Sequence, residues 1–294
     1  MPASDTHLSR RPARRGTRLR RLTARGWVPD QHGAWPMATL PIVVGALDSR
    51  PQWAHLLLLL AWVAGFLLFH VGTLWIASPR RARYTSALLT WGGCAAASGV
   101  ALLVLRPALL GWAPVFAPLV VVALVEALRR RTRSMASRIS TVLASSLTCA
   151  VAHDLGWGTL HAAGPLERGW WPWWDGAATV PDSGWGHAWI VTAVLAAYFL
   201  GTVPHVRALI RGRGNPAWVI ASLSWHVLTL VGVAAAAGVG GVSWWVVAVW
   251  GVLVVRALVI PLDQSRRGPW TPKSIGLTEM VVCVLVAVSL LLPS

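Results

Sequence analysis

The chain of 294 residues is 55% apolar, whereas charged residues make up only 12% of it. A soluble domain normally carries about twice that share of charge, so the composition excludes an ordinary globular protein. A net charge of +16 would suggest a nucleic-acid partner in a soluble chain. Here the basic residues alternate with apolar stretches of about 20 residues, so we expect a membrane protein that binds lipids and no nucleic acid.

The first 28 residues are polar and contain eight arginines together with Pro, Gly, Ser and Thr. Segments of this composition cannot bury enough apolar surface to fold alone, so the pattern predicts a disordered tail over residues 1–28. Residues 29–294 are expected to form the membrane domain.

Nine apolar stretches follow the tail, and most are long enough to cross a bilayer core of roughly 30 Å as helices. They predict an all-α fold, a polytopic transmembrane bundle of about nine helices. The stretches cover residues 34–49, 53–77, 84–105, 107–128, 139–160, 187–210, 216–237, 242–262 and 275–292. The first is short, reaching about 24 Å as a helix, and Pro41 should kink it. A segment that crosses only half of the membrane is therefore the alternative for this stretch.

Basic residues concentrate in alternate gaps, since 22 of the 26 lie in the tail or in four of the gaps between stretches. Cytoplasmic loops carry the excess of Lys and Arg, so this asymmetry predicts a cytoplasmic N-terminus and a C-terminus outside. The Arg-rich tail and the basic gap after the second stretch must then lie on the same side, which requires that the first stretch crosses the membrane completely.

The long outer loop, residues 161–186, is rich in tryptophan. Tryptophan favours the headgroup layer, so the loop is interpreted as a segment on the membrane surface, with a substrate lid as the alternative. Its tryptophans are Trp170, Trp171, Trp173, Trp174 and Trp185.

Polar side chains within the apolar stretches are the candidate functional residues, because burying them is costly unless they are paired or hydrated. Most of them fall at one depth, in the cytoplasmic half, which predicts a polar cavity open to the cytoplasm if they also converge laterally. The alternative is that each pairs or snorkels at its own helix end. The candidates are Gln31, His32, Trp35, His70, Glu126, His205, His226 and Glu279.

One local motif is unusual: residues 28–37 read Val-Pro-Asp-Gln-His-Gly-Ala-Trp-Pro-Met, followed by Pro41 and Gly45. It resembles the opening signature of the YwiC-like proteins. Residues 198–203 and 274–279 are similar to two further shared stretches, so the resemblance reaches both ends of the chain. It implies a bacterial inner-membrane protein without an established activity.

A more distant resemblance is to the UbiA-type intramembrane prenyltransferases, which share nine helices and a cytosolic N-terminus. That family places Asp-rich, magnesium-binding motifs after the second and sixth helices. The corresponding segments here, residues 70–80 and 205–213, contain no Asp. We therefore expect a UbiA-like architecture without a metal ion or other cofactor, in which arginines could hold a phosphate directly.

Three functional classes fit these features. The first is a protein that binds a lipid, prenyl or quinone-type ligand in the cavity. The second is a lipid-modifying enzyme with His32 or His70 as acid–base residue. The third is a transporter, or a redox protein with haem between His70 and His226.

Overall fold

A computed structural model describes residues 17–29, 33–132, 134–157 and 184–293. Over these residues the regular structure is helical throughout, so the predicted all-α bundle is confirmed. A 3₁₀ turn, Pro107–Trp112, precedes the fifth helix. The ten α-helices are α1 Thr17–Ala24, α2 Ala34–Asp48, α3 Trp53–Ala77, α4 Ala82–Leu105, α5 Ala113–Leu128, α6 Met135–Trp157, α7 Trp185–Leu209, α8 Pro216–Gly238, α9 Trp244–Arg267 and α10 Pro272–Leu290.

Eight of the described helical segments are long and apolar enough to cross a membrane, counting the 3₁₀ turn and α5 as one. They coincide with eight of the nine predicted stretches. The first stretch forms the shorter α2, whose 15 residues continue through Pro41 without a break in the helix. Most side chains in the second half of α2 are buried, so this short helix lies inside the bundle.

The bundle has two halves joined by a shared centre. One apolar core is built from α2, α3, α4, α6 and α7 with the 3₁₀ turn, and the other from α2 and α6–α10. Among the described residues, α3, α4 and α5 do not touch α8, α9 or α10. Helices α2, α6 and α7 thus form the centre of the bundle.

Small residues allow the central helices to approach closely. A Cβ on Gly45 of α2 would overlap the carbonyl oxygen of Cys149 in α6, and one on Gly156 of α6 would overlap the Ser49 side chain. Ser145 of α6 also donates a hydrogen bond to the Met37 carbonyl at 2.8 Å. In a membrane, where apolar burial does not favour helix association, such close packing holds helices together.

The tail differs from the prediction in one segment. Disorder was expected over residues 1–28, but Thr17–Ala24 forms α1, and the Trp91 indole donates a hydrogen bond to the Trp27 carbonyl at 3.2 Å. The short helix is stabilised because the residues that follow it pack on α3 and α4, contacts that composition does not reveal. Residues 1–16, which complete the predicted tail, and residues 158–183, which make up most of the predicted outer loop, lie outside the described residues.

Candidate functional site

An ion pair lies inside the bundle between α9 and α10. Arg256 Nη1 donates to Glu279 Oε1 at 2.6 Å, and the two residues are only 6% and 8% exposed. Arg256 is close to the middle of α9, with at least eleven helical residues on either side. A charged pair at this depth is expensive to place in a membrane, and such pairs mark functional sites more often than structural ones.

Two buried histidines extend the ion pair into α7 and α8. His226 Nδ1 lies 2.7 Å from the Ser222 carbonyl oxygen, and its Nε2 lies 3.4 Å from Arg256 Nη2. Because a carbonyl can only accept, Nδ1 carries the proton and Nε2 accepts from the guanidinium. This tautomer lets the neutral ring satisfy both neighbours.

The second histidine, His205, lies between Glu279 and Ser222. His205 Nε2 lies 3.7 Å from Glu279 Oε1, and its Nδ1 lies 3.4 Å from Ser222 Oγ. The His205 and His226 rings meet edge to face with centroids 6.0 Å apart. We call Arg256, Glu279, His205, His226 and Ser222 the Arg256 cluster.

Helical spacing explains why these side chains share one interior. Ser222 and His226 are four residues apart and therefore lie on the same face of α8. Arg256 follows Leu253 and precedes Ile260 on the buried face of α9. The geometry needs no irregular backbone, since each residue comes from a continuous helix.

Several polar atoms of the cluster have no hydrogen-bond partner within the described part of the chain: Arg256 Nε, Glu279 Oε2 and His205 Nε2. Leaving a buried polar atom unpaired costs about 1–3 kcal/mol. The cluster is therefore capable of donating to, and accepting from, a polar group of a ligand.

An apolar groove runs beside the cluster, between α5, α6, α7 and α8. Its volume is about 570 Å³, within the usual range for small-molecule sites. The Trp225 side chain lines it and donates a hydrogen bond to the Ala197 carbonyl at 2.9 Å. Other lining residues include Val115, Leu119, Leu147, Ala193, Ala196 and Leu200.

Gly201 is where the groove and the Arg256 cluster meet. A Cβ on Gly201 would lie 2.7 Å from Trp225 Cδ1 and 3.2 Å from His226 Nε2. The indole that lines the groove and the imidazole that belongs to the cluster thus share one small space on α7.

The predicted site residues divide into three groups. His205, His226 and Glu279 come together. His70 and Glu126 are half-buried on α3 and α5, helices that do not touch α8–α10 in the described structure, and the Trp35 ring packs against Phe66 at 6.4 Å. Gln31 and His32 lie outside the described residues.

Sequence reasoning missed two members of the site. Neither Arg256 nor Ser222 was among the candidate residues. A charge near the centre of an apolar helix was the available signal for Arg256, because only a buried partner makes that position tolerable.

A second polar cluster lies at the other end of the bundle, where α2 and α6 end and α7 begins. Asp48 Oδ1 is 2.9 Å from His187 Nε2, and Asp48 Oδ2 is 3.4 Å from His153 Nδ1. Next to His153 in α6, Asp154 accepts a hydrogen bond from the Trp112 indole at 2.9 Å. Across residues 17–29, 33–132, 134–157 and 184–293, no group of three or more His, Cys, Asp or Glu side chains is arranged to hold a metal ion.

These features define a multi-pass membrane protein with a buried charged cluster. Residues 28–153 match the family of YwiC-like proteins. The uncharacterised protein YwiC of Bacillus subtilis (strain 168) is 25% identical over 262 residues, which cover 89% of this chain and 95% of that protein. The predicted resemblance to the YwiC-like family is therefore confirmed. No solved structure matches the chain, and the likeness to UbiA-type prenyltransferases stays a prediction.

Proposed function

We propose that the protein binds an isoprenoid amphiphile of the quinone type, with the apolar chain in the groove and the polar head against the Arg256 cluster. It would do so in the bacterial inner membrane, with its N-terminus in the cytoplasm. The observation that carries the proposal is the buried Arg256–Glu279 pair, which has unpaired polar atoms and which His226 connects to the groove through the space at Gly201.

The charge of the cluster favours a neutral head. Arg256 is already compensated by Glu279 at 2.6 Å, so with uncharged imidazoles the cluster sums to zero. A charged head would bring an uncompensated charge into a low-dielectric interior, which is costly. A quinone carbonyl instead accepts hydrogen bonds from Arg256 Nε or His205 Nε2 without adding charge.

The lining of the groove indicates what kind of apolar chain the ligand carries. Nearly all of its lining side chains are aliphatic or aromatic, with Ser146, Thr192 and Thr229 as the polar exceptions. The groove is open along one side, so a long chain can lie in it and continue into the lipid. This shape suits an isoprenoid or acyl tail better than a compact polar solute.

Access to the cluster passes Trp225. His205 and His226 are at most 1% exposed, so the head needs an opening, and we propose that this opening forms when the Trp225 indole turns away from Gly201. The hydrogen bond from Trp225 to Ala197 holds the indole in its closed position.

Equilibrium binding of radiolabelled menaquinone-4 to the full chain in nanodiscs tests this proposal. Ala193 lies exposed in the groove, so Ala193→Phe fills the groove without entering the core. Ala221 is an equally exposed alanine on α8 that does not line the groove, and Ala221→Phe is the matched control. We expect Ala193→Phe to weaken binding at least tenfold and Ala221→Phe to leave it unchanged.

Two results would overturn the proposal: no saturable binding to the wild type, or equal binding by the two phenylalanine variants. Mass spectrometry of the bound quinone after incubation separates the enzymatic alternative, because a covalently changed quinone would show turnover whereas an unchanged one indicates binding alone.

A further inference from the structure

The segment that follows α1 packs against α3 and the start of α4, and exposed arginines flank this contact on both chain segments. Arg20, Arg21 and Arg25 are exposed in or just after α1. The turn between α3 and α4, with the first residues of α4, carries a second exposed set, Arg80, Arg81 and Arg83. The two segments are about 60 residues apart in sequence, and the fold joins them through Gly26.

Gly26 is the point of contact between these segments. A Cβ there would lie 3.0 Å from Tyr84 Cδ1 and 3.1 Å from Val71 Cγ2, and the residue has a positive φ of 75°. Gly26 is buried, whereas Arg25 beside it is exposed. The chain after α1 is therefore seated on α3 and α4, with Arg25 next to the segment that holds Arg83.

Two of the arginines, Arg81 and Arg83, lie against aromatic rings. The Arg81 guanidinium lies 4.5 Å from the centre of the Trp75 ring, and that of Arg83 lies 5.9 Å from the Tyr84 ring. Trp and Tyr favour the headgroup layer of a bilayer, and stacking on them leaves the guanidinium N–H groups free to donate.

No acidic residue balances this charge locally. Residues 17–29 and 77–90 contain no Asp or Glu. Within the described part of the chain, none of the six arginines has a carboxylate within 4.0 Å. Like charges gathered on one surface repel one another unless a counter-charge lies beside them.

We propose that these six arginines form a binding site for the phosphate headgroups of anionic phospholipids, here called the α1 arginine site. The guanidinium fork matches two phosphate oxygens, and the aromatic residues place it at headgroup depth. The site is independent of the quinone proposal, because it lies on the membrane surface and shares no residue with the groove or the Arg256 cluster.

Native mass spectrometry of the full chain, released from nanodiscs of equal phosphatidylglycerol and phosphatidylcholine, tests the site. We expect the wild type to retain phosphatidylglycerol selectively, and the triple variant Arg20→Gln, Arg21→Gln, Arg25→Gln to lose most of it. The matched control is Arg129→Gln, Arg130→Gln, Arg131→Gln, which removes the same charge from an exposed turn elsewhere. It should retain the lipid as the wild type does.

A second variant keeps every arginine and removes the contact. Gly26→Val clashes with Tyr84 and Val71, so it should displace α1 and lower phosphatidylglycerol retention several-fold. Equal losses in the two triple variants would mean general charge attraction and overturn the proposal, as would full retention in Gly26→Val. If inorganic phosphate displaces the lipid completely, the site recognises free phosphate and the assignment to phospholipid is wrong.

Discussion

His187 Nε2 lies 2.9 Å from Asp48 Oδ1, while the other ring nitrogen, Nδ1, lies 2.9 Å from the Gly241 carbonyl oxygen. Both neighbours are acceptors, so the geometry is satisfied only by an imidazolium that donates from both nitrogens. This charged ring links the end of α2, the start of α7 and the turn between α8 and α9.

The link predicts a pH dependence of stability. The side chain of His187 is 39% exposed, so it can exchange its proton with solvent. Asp48 of α2 and His153 of α6 are the titratable groups that face it within the described structure. The protonated ring is the form that the fold stabilises, so its contribution to stability is complete below a pH of about 6.5, while Asp48 stays ionised, and is lost as the pH rises.

We expect the midpoint of thermal unfolding to decrease as the pH rises above about 6.5, where an ordinary histidine loses its charge. Scanning fluorimetry in nanodiscs measures it. The variant His187→Gln should flatten this part of the profile, whereas His70→Gln on α3 should preserve it. An unchanged slope in His187→Gln would contradict the imidazolium assignment.

The Arg256–Glu279 pair predicts a strong difference between single and double variants. Arg256→Gln leaves the Glu279 carboxylate buried without its counter-charge, which costs about 3–5 kcal/mol. Removing both charges with Arg256→Gln and Glu279→Gln should recover most of that loss. Unfolding in a detergent titration provides the free energies for a double-mutant cycle.

The exposed pair of Arg267 and Asp263 on α9 is the matched control for that cycle. Arg267 is 84% exposed and its Nε lies 3.4 Å from Asp263 Oδ1. Such a pair contributes at most about 1 kcal/mol, so Arg267→Gln should change stability little. If Arg256→Gln is equally mild, the Arg256 cluster is hydrated in the membrane, contrary to its burial.

Close packing of α2 on α6 predicts that Gly45 tolerates no side chain. In Gly45→Ala the new methyl group would overlap the Cys149 carbonyl, and the helices would have to separate. Overpacking of this kind costs about 1–3 kcal/mol. Gly65→Ala is the control, because nothing lies within 4 Å of its Cβ position in α3 and alanine is the better helix former. A stable Gly45→Ala protein with unchanged yield would refute this packing.

Helix positions could be predicted closely from the sequence. The stretch 53–77 coincides with α3, whereas α6 begins at Met135, four residues before the predicted start at residue 139. That start was missed because Ser137 and Arg138 are polar and lower the apolar signal, although Ser137 is buried against the bundle. A bundle interior in a membrane accepts small polar side chains that a hydropathy pattern assigns to a loop.

The sequence predicted how deep in the membrane the candidate residues lie, but not where they lie laterally within the bundle. Depth follows from residue number along a helix, which placed His205 and Glu279 at one level. Lateral position depends on which helices are neighbours, and nothing in the apolar pattern separates α3 from the α7–α10 half. His70 was therefore grouped with His205 although their helices lie in different parts of the bundle.

A variant at Gly201 tests whether the groove and the Arg256 cluster bind one ligand together. In Gly201→Ala the methyl group would lie 2.7 Å from Trp225 Cδ1, so the indole must turn and its hydrogen bond to the Ala197 carbonyl must weaken. The same methyl group would lie 3.2 Å from His226 Nε2 and fill the space through which the head is proposed to reach the cluster. If the groove receives a quinone tail, we therefore expect about tenfold weaker binding of menaquinone-4 with a fold that remains intact.

The control for that variant is Gly232→Ala on α8, which adds the same methyl group where nothing lies within 4 Å. It should bind menaquinone-4 as the wild type does. Fluorescence of Trp225 itself, read as the difference between each variant and its Trp225→Phe counterpart, reports whether the indole has moved. A moved indole with unchanged binding would show that Trp225 does not line the path of the ligand, and the head would then have to enter the Arg256 cluster from another side of α7.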